Sequence, residues 1–444
     1  MSGEGVRARL ARLRREGAAT KDAAATRPPP GVPLETSAPS TPRARVERRS
    51  GPPRGLCATG GHLARLGRFG LDHRHGSWRL EEALDVEPAD FALLTGDGSL
   101  AELDLAGACY LDTETTGLAG GSGTWVFMIG LGTFAEGPRA PGAVPASFGV
   151  WQGFLGDPAE ERALLAECAE RIRAHSGVVS FFGKSFDRHR LEDRMRLHGI
   201  EPPFDEVPHL DLYHPLRRLY RAATDDGRLA TMESRLVGVR RADDLPGSFA
   251  PEAWFDYLAG RPHALEGVFR HNLDDVLSLV TLAAHLGSTT RERRADGSEL
   301  GEPAAARAAG VARSLLAAGR RPEALVWLDR HGERSRRDGE APAARRPLEV
   351  LRADTLRLSG AAAEALDAYR ALLDGGEDGF TAHCLLQLAK LLEHHRRDWS
   401  AALEASRTAL ALVERRHVGG EFARLRAEAV GRIERLEKRV GRDG

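Results

Sequence analysis

Cysteine is scarce in this 444-residue chain: Cys57, Cys109, Cys168 and Cys384 stand far apart, with no CxxC pair among them. That spacing excludes a disulfide framework and a paired-thiolate zinc site, and it fits a reducing, cytoplasmic setting. Long apolar runs are missing too. No stretch approaches the ~20 apolar residues of a spanning helix, and the basic amino terminus has no continuous apolar core, so neither membrane insertion nor secretion is expected. A surplus of either charge is also absent, with 63 Lys and Arg against 64 Asp and Glu, a net charge of −1. This rules out a uniformly basic coat, so contact with nucleic acid has to come from local patches. What the chain does have is 42% hydrophobic content, enough for proper cores in two or three domains.

Charge and composition vary along the chain. Residues 1–55 carry eleven Arg and Lys21 against five acids, a net charge of +7, and Thr26–Pro53 is rich in Pro, Ser, Thr and Arg. A disordered basic arm is expected there, with order beginning near Leu56. Residues 56–106 are expected to form an extension packing on a domain at 107–287. Cys57, His62, His73 and His75 have too irregular a spacing for structural zinc.

From Ala108 to about Gly287, strand and helix signals alternate. Ala108–Leu111, Trp125–Phe134 and Ala146–Phe154 read as strands, Pro158–His175 as a helix, Val178–Phe182 as a strand and Leu265–Leu286 as a long helix. The expected fold class is α/β, a mixed sheet flanked by helices. The Gly117–Gly123 loop fits neither GxGxxG nor a P-loop and reads as a flexible hairpin. Residues 287–302 read as a hinge, and 303–440 as almost wholly helical. AGRRPEALVWL, LSGAAAEALDAYRALL and HHRRDWSAALEASRTAL share a form, aligning on Ala324, Ala365 and Ala402 in steps of 41 and 37 residues. They resemble tetratricopeptide repeats, with a plain helical bundle as the alternative.

Within the α/β segment, Asp112 and Glu114 in LDTETTG point to one side of a strand, because residues i and i+2 share a face. Asp187 in GKSFD follows another apolar run, and Asp275 in HNLDDVLSL lies on the long helix. Hard divalent cations prefer oxygen ligands, and two such ions can clamp the attacking and leaving oxygens of a phosphodiester displacement. Four acids in this order would serve that chemistry. Lys184, beside Asp187, is placed to meet substrate phosphate, as is Thr115 next to Glu114. Arg217 and Arg218, interleaved with Tyr213 and Tyr220, would suit phosphate and base contacts or simply form a solvated helix face.

LDTETTGL, GKSFD and HNLDDV resemble the three motifs of the DEDD exonucleases of the ribonuclease-H-like superfamily. GGSGTWVFMIGLG, FFGKSFD, HLDLYHPLRRLYR, LATMESRLVGV, RADDLPGSF and HNLDDVLSL, in that order, look like the bacterial YprB-like proteins. The resemblance implies a ribonuclease-H-type mixed sheet and 3′→5′ exonuclease action on DNA or RNA with two divalent cations, Mg²⁺ or Mn²⁺. By it, Asp112 would bridge both metals, Glu114 and Asp275 would complete the first, and Asp187 would hold the second. His271 would orient or deprotonate the attacking water, or only pack beside the site: three residues separate it from Asp275, where the His-type pattern has four. Phe182 stands where the family often has Asn, and is expected to fill the core rather than stack on a base. Asn272 and Asp274 are expected on the helix surface or just behind the acids, and His209 and Asp211 are assigned no metal. A nuclease whose helical repeats dock a protein partner is the first reading. A noncatalytic nucleic-acid-binding adaptor is the second.

Overall fold

The computed structural model describes residues 47–117, 123–134, 145–221, 223–241, 245, 247–301, 303–415 and 420–443. Most of the expected basic arm, most of the Gly117–Gly123 loop and residues 242–244 and 246 of the RADDLPGSF motif lie outside the described residues. Contacts divide the chain into two units. The first comprises residues up to Ala89, Ser99–His214 and Arg228–Gly287; the second comprises Asp90–Gly98, Pro215–Gly227 and the chain from Ser288 onward.

The first unit is built on a seven-stranded mixed sheet. Its strands are β1 (Cys57–Thr59), β2 (His62–Gly70), β5 (Cys109–Thr115), β6 (Val126–Thr133), β7 (Ser147–Phe154), β8 (Val178–Ser180) and β9 (His209–Asp211), while β3 (Arg74–His75) and β4 (Trp78–Arg79) form a separate hairpin. The order is β1-β2-β7-β6-β5-β8-β9. The pairs from β1 to β5 are antiparallel, and β5-β8 and β8-β9 are parallel. Thus residues 57–70 enter the sheet itself, with β2 running along β7 from Leu63 opposite Phe154 to Gly70 opposite Ser147.

The uninterrupted apolar run VFMIGLG explains the centre of the sheet, because such a run belongs where both faces are covered. Val126 to Gly132 are buried without a break. On one face, Gly130 and Gly132 of β6 lie under Asn272 and Val276, so the absence of two side chains lets a helix come close. In chain order the helices up to Ser288 are α1 (Pro88–Thr95), α2 (Glu161–Arg173), α3 (Asp187–Leu197), α4 (Tyr213–Tyr220), α5 (Leu229–Met232, continued as a π-turn over Glu233–Val237), α6 (Ala250–Leu258) and α7 (Leu265–Ser288), of which α1 and α4 fall mostly in the second unit. Trp254 of α6 stacks on Phe127 at 5.3 Å and donates its indole N–H to the Leu155 carbonyl at 2.8 Å, tying that helix to the sheet. Leu164, Leu191, Met195, Leu265 and Phe269 fill the same core.

In the second unit, α8 (Ala304–Ala317), α9 (Arg321–Arg337), α10 (Pro342–Leu358), α11 (Ala362–Asp374), α12 (Thr381–Leu391), α13 (Trp399–Arg415) and α14 (Gly420–Asp443) each pack on the next. Ala324, Ala365 and Ala402, each the fourth residue of its helix, are completely buried. Gly319, Gly360 and Arg397, just before these helices, all take a positive φ. Gly310 of α8 lies against Leu219, where a Cβ would come within 2.7 Å of the Leu219 Cα. Among the described residues, no helix is long and apolar enough to cross a membrane.

Candidate active site

Asp112 sits in β5 opposite Gly130, and Glu114 opposite Met128, so both acids belong to the strand rather than ending it. The register shifts between Glu114 and Thr115. There Thr115 turns its hydroxyl to donate to the Gly117 carbonyl at 3.2 Å. A bulge at the end of a strand re-aims side chains in this way.

The close approach of α7 brings Asn272 onto Asp112. Its Nδ2 donates to Asp112 Oδ2 at 2.8 Å, and its Oδ1 accepts from Gln152 Nε2 of β7 at the same distance. Gln152 also donates to the Phe269 carbonyl at 2.7 Å, so the amide chain is fixed at both ends. Asn272 is fully buried, so of its two expected places, on the helix surface or just behind the acids, it takes the second. Burial raises the Asp112 carboxyl well above the usual range. The charges of Asp275, Asp187 and Glu114 add to that rise, and the Asn272 hydrogen bond opposes it.

Asp187 opens α3 just past β8, and its Oδ1 accepts from the Thr113 hydroxyl. Burial pushes its carboxyl up to about 7; the Thr113 and backbone hydrogen bonds oppose the rise, while Asp211 and Asp275 add to it. The loop between β8 and α3 is held by Asp211, whose carboxylate accepts the backbone N–H groups of Phe182 at 2.8 Å, Lys184 at 3.0 Å and Tyr213 at 3.1 Å. His209, beside it in sequence, meets the Ser180 hydroxyl at 2.7 Å and is lowered to about 3, chiefly by burial.

Asp275 is ion-paired to Arg241, which also binds Glu233 through Nε at 3.1 Å and contacts His271 Nδ1 at 3.2 Å. Glu233 is buried and Arg241 partly so. Burial works against the Arg241 charge, but Asp275 and Glu233 outweigh it and raise its pKa. Because a guanidinium can only donate, Nδ1 of His271 has to be the acceptor, and a neutral ring then carries its proton on Nε2. That nitrogen lies 3.6 Å from Asp275 Oδ2.

The four sequence-predicted acids therefore act on one another. Among the described residues, no group of three or more His, Cys, Asp or Glu side chains is drawn together tightly enough to hold a metal as it stands. Arg217 and Arg218 belong to the second unit. There Arg217 reaches Thr224 and the Asp226 carbonyl at 3.4 Å, and Arg218 the Thr95 carbonyl at 3.5 Å. His62, His73 and His75 are engaged separately, with Glu167, Phe69 and Ser278 respectively.

Phe182 departs from its expected place in the core. Strand β8 ends at Ser180, and Phe182 is 42% exposed with a φ of 61°. For a bulky residue that conformation costs about 1–3 kcal/mol and persists only where its surroundings impose it.

Residues 109–287 match a family model of the RNase_H superfamily. The chain is also 30% identical to the uncharacterized protein YprB of Bacillus subtilis (strain 168), over 79% of its own length and 80% of that protein's. It belongs to the YprB family. The seven-stranded mixed sheet with flanking helices is consistent with a ribonuclease-H-like fold, and membership of that superfamily suggests nuclease-type activity. Within this YprB-family chain, sequence reasoning passed over Arg241, Glu233, Gln152 and Thr113. Arg241 had a signal, a cation opening RADDLPGSF between two acid-bearing motifs. Gln152 had none, since nothing in its strand distinguishes a polar residue that faces solvent from one that clamps a helix.

Proposed function

We propose that this protein is a metal-dependent nuclease, a 3′→5′ exonuclease that hydrolyses the phosphodiester bonds of DNA or RNA with two divalent cations, Mg²⁺ or Mn²⁺. The observation that carries the reading is the setting of Asp112, a partly buried carboxylate raised above its usual range beside three buried ones, Glu114, Asp187 and Asp275, with only Asn272 among the described donors to its side chain. Like charges gathered away from water are unfavourable unless a counter-charge joins them, and an all-oxygen donor set suits a hard divalent cation. Asp112, Glu114 and Asp275 would hold one cation, and Asp112 with Asp187 the other. When bound there, such cations supply positive charge to the scissile phosphate and acidify the attacking water.

The remaining residues have positional roles. Asn272 and Thr113 aim the Asp112 and Asp187 carboxylates. Lys184 and Thr115 are proposed to meet the substrate phosphates, and Arg217 and Arg218 to be phosphate contacts of the second unit. His271 accepts a proton only when Arg241 leaves Nδ1 or the ring turns over, so its service as a base depends on Arg241.

One observation favours a second reading, a noncatalytic adaptor that binds nucleic acid. Arg241 already neutralises Asp275, as a side chain replacing a cation would. It leaves Asp112 and Asp187 displaced upward, however, and the nuclease reading accounts for these two as well. The helices from Ala304 onward are proposed to be tetratricopeptide-like repeats that dock a protein partner. Their consecutive packing, the three buried alanines and the three positive-φ turns support this.

The deciding experiment is cleavage of end-labelled single- and double-stranded DNA and RNA with Mg²⁺ or Mn²⁺, by the parent and by Asp112→Asn. A ladder that shortens from the 3′ end and disappears in the variant is expected. Binding without cleavage by either protein would favour the adaptor.

A further inference from the structure

Next to the acids lies a feature that metal chemistry does not use. Phe181 and Phe182 follow β8, and Tyr213 and His214 follow β9, the strand parallel to it. The parallel pairing brings both strands to the same edge of the sheet, so the four rings meet there. Tyr213 stands at 5.6 Å from Phe181, 4.9 Å from Phe182 and 5.1 Å from His214, in edge-to-face geometry each time. Phe182 and His214 are exposed, while Phe181 and Tyr213 are half-buried.

Two facts connect this cluster to the site. A Cβ on Gly183, the residue after Phe182, would lie 3.2 Å from Asp187 Oδ2, so the loop carrying the ring passes directly over that carboxylate. Asp211, which acts electrostatically on Asp187, also receives the N–H groups of Phe182, Lys184 and Tyr213. The carboxylate that organises the loop thereby holds Phe182 in a left-handed conformation with its ring in solvent. An apolar ring held outward against both its backbone preference and its hydrophobicity has the properties of a contact surface.

We propose that Phe182, backed edge-on by Tyr213, is a stacking platform for an unpaired nucleobase of the strand whose phosphate enters the acid site. This rests on the nuclease reading for the direction of the strand. Aromatic rings stack on bases of any sequence, and a base inside a duplex cannot offer its face. The platform therefore selects single-stranded ends or frayed termini over blunt duplexes and has little sequence preference.

The test is equilibrium binding by the full-length protein in chelator, so that hydrolysis plays no part. The probes are a short single-stranded oligonucleotide with 2-aminopurine at its 3′ end, in DNA and RNA form, the same strand with an abasic 3′ nucleotide, and a blunt duplex. The parent is expected to quench the 2-aminopurine. Phe182→Leu, which keeps the apolar bulk and removes the π face, is expected to weaken binding of the base-bearing strand by about tenfold and leave the abasic strand unchanged. Phe182→Trp is expected to retain binding, and equal melting temperatures would establish that the variants fold. Equal losses on both strands, no loss on either, or tighter Phe182-independent binding of the duplex would overturn the platform. Phe182-dependent binding by a protein that cleaves nothing would uphold the platform while refuting the nuclease. Cleavage indifferent to Phe182→Leu would do the reverse.

Discussion

A single methyl group at Gly130 would stand 2.5 Å from Asn272 Oδ1 and 2.9 Å from Val276 Cγ2, and the neighbour that would have to yield is the amide holding Asp112. Gly130→Ala is therefore expected to destabilise the protein by about 1–3 kcal/mol, the usual range for overpacking, and to weaken divalent-cation binding. Denaturant melts with a parallel metal titration would check it, and unchanged values for both would mean that α7 has room to move. Arg241 sets a different kind of constraint. Arg241→Ala leaves Glu233, almost completely buried, without its counter-charge, and the loss should be about 3–5 kcal/mol. Replacing the pair together, Arg241→Met with Glu233→Leu, should recover part of it, since the Glu233 charge goes with its partner while Asp275 still loses its counter-charge. If the double variant is as unstable as the single one, the pair is not what holds that region together. At this scale the shared face of Asp112 and Glu114 was legible, because residues two apart on a strand point the same way. Their supporting residues were not: Asn272 and Gln152 form a clamp only after β7 and α7 have been folded together, and Phe182 reads as core until β8 is seen to stop two residues short of it.

At the scale of elements, β5, β6 and β7 could be read from apolar runs bounded by turn residues, and the long helix from its period. The amino-terminal strands could not. The β2 segment HLARLGRFG alternates small, basic and apolar residues and earns its place only through β7, which lies nearly eighty residues further on. In the second unit, the turns before α9, α11 and α13 carry Gly319, Gly360 and Arg397 at equivalent places, all with φ between 55° and 82°. The left-handed conformation disfavours residues with a Cβ by about 1–2 kcal/mol. Gly360, whose added Cβ would meet no neighbour, should lose about 1 kcal/mol on Gly360→Ala through backbone strain alone. Arg397→Gly should gain a similar amount. Chemical denaturation of the two variants gives the comparison, and a shift of the same sign in both would contradict the equivalence of the turns.

For the whole molecule, the chain order of the units was only partly legible. The expected hinge at 287–302 begins where the second unit resumes, yet Asp90–Gly98 and Pro215–Gly227 belong to that unit as well. Short inserted segments leave no compositional mark, and only packing such as Leu219 against Gly310 reveals them. The site also sets how the protein responds to pH. Below about pH 4 a carboxyl is protonated in both folded and unfolded chains, and Asp187 takes nothing from stability. As the pH rises towards about 7, the unfolded chain ionises freely while burial keeps folded Asp187 protonated, so the metal-free protein loses stability across that window. Asp112 is raised in the same direction and extends the loss. Divalent cations favour the ionised carboxylates, so the rise in Tm on adding Mn²⁺ should be larger at about pH 8 than at about pH 6. Equal rises at both pH values would mean that the cation binds elsewhere. The central claim, that these acids form a cation site, is tested most directly by calorimetric titration of the chelator-treated protein with Mn²⁺, beside Asp112→Asn. The account predicts two ions bound per parent chain and the loss of at least one in the variant. A parent that binds no Mn²⁺, or a variant that binds as the parent does, would contradict it.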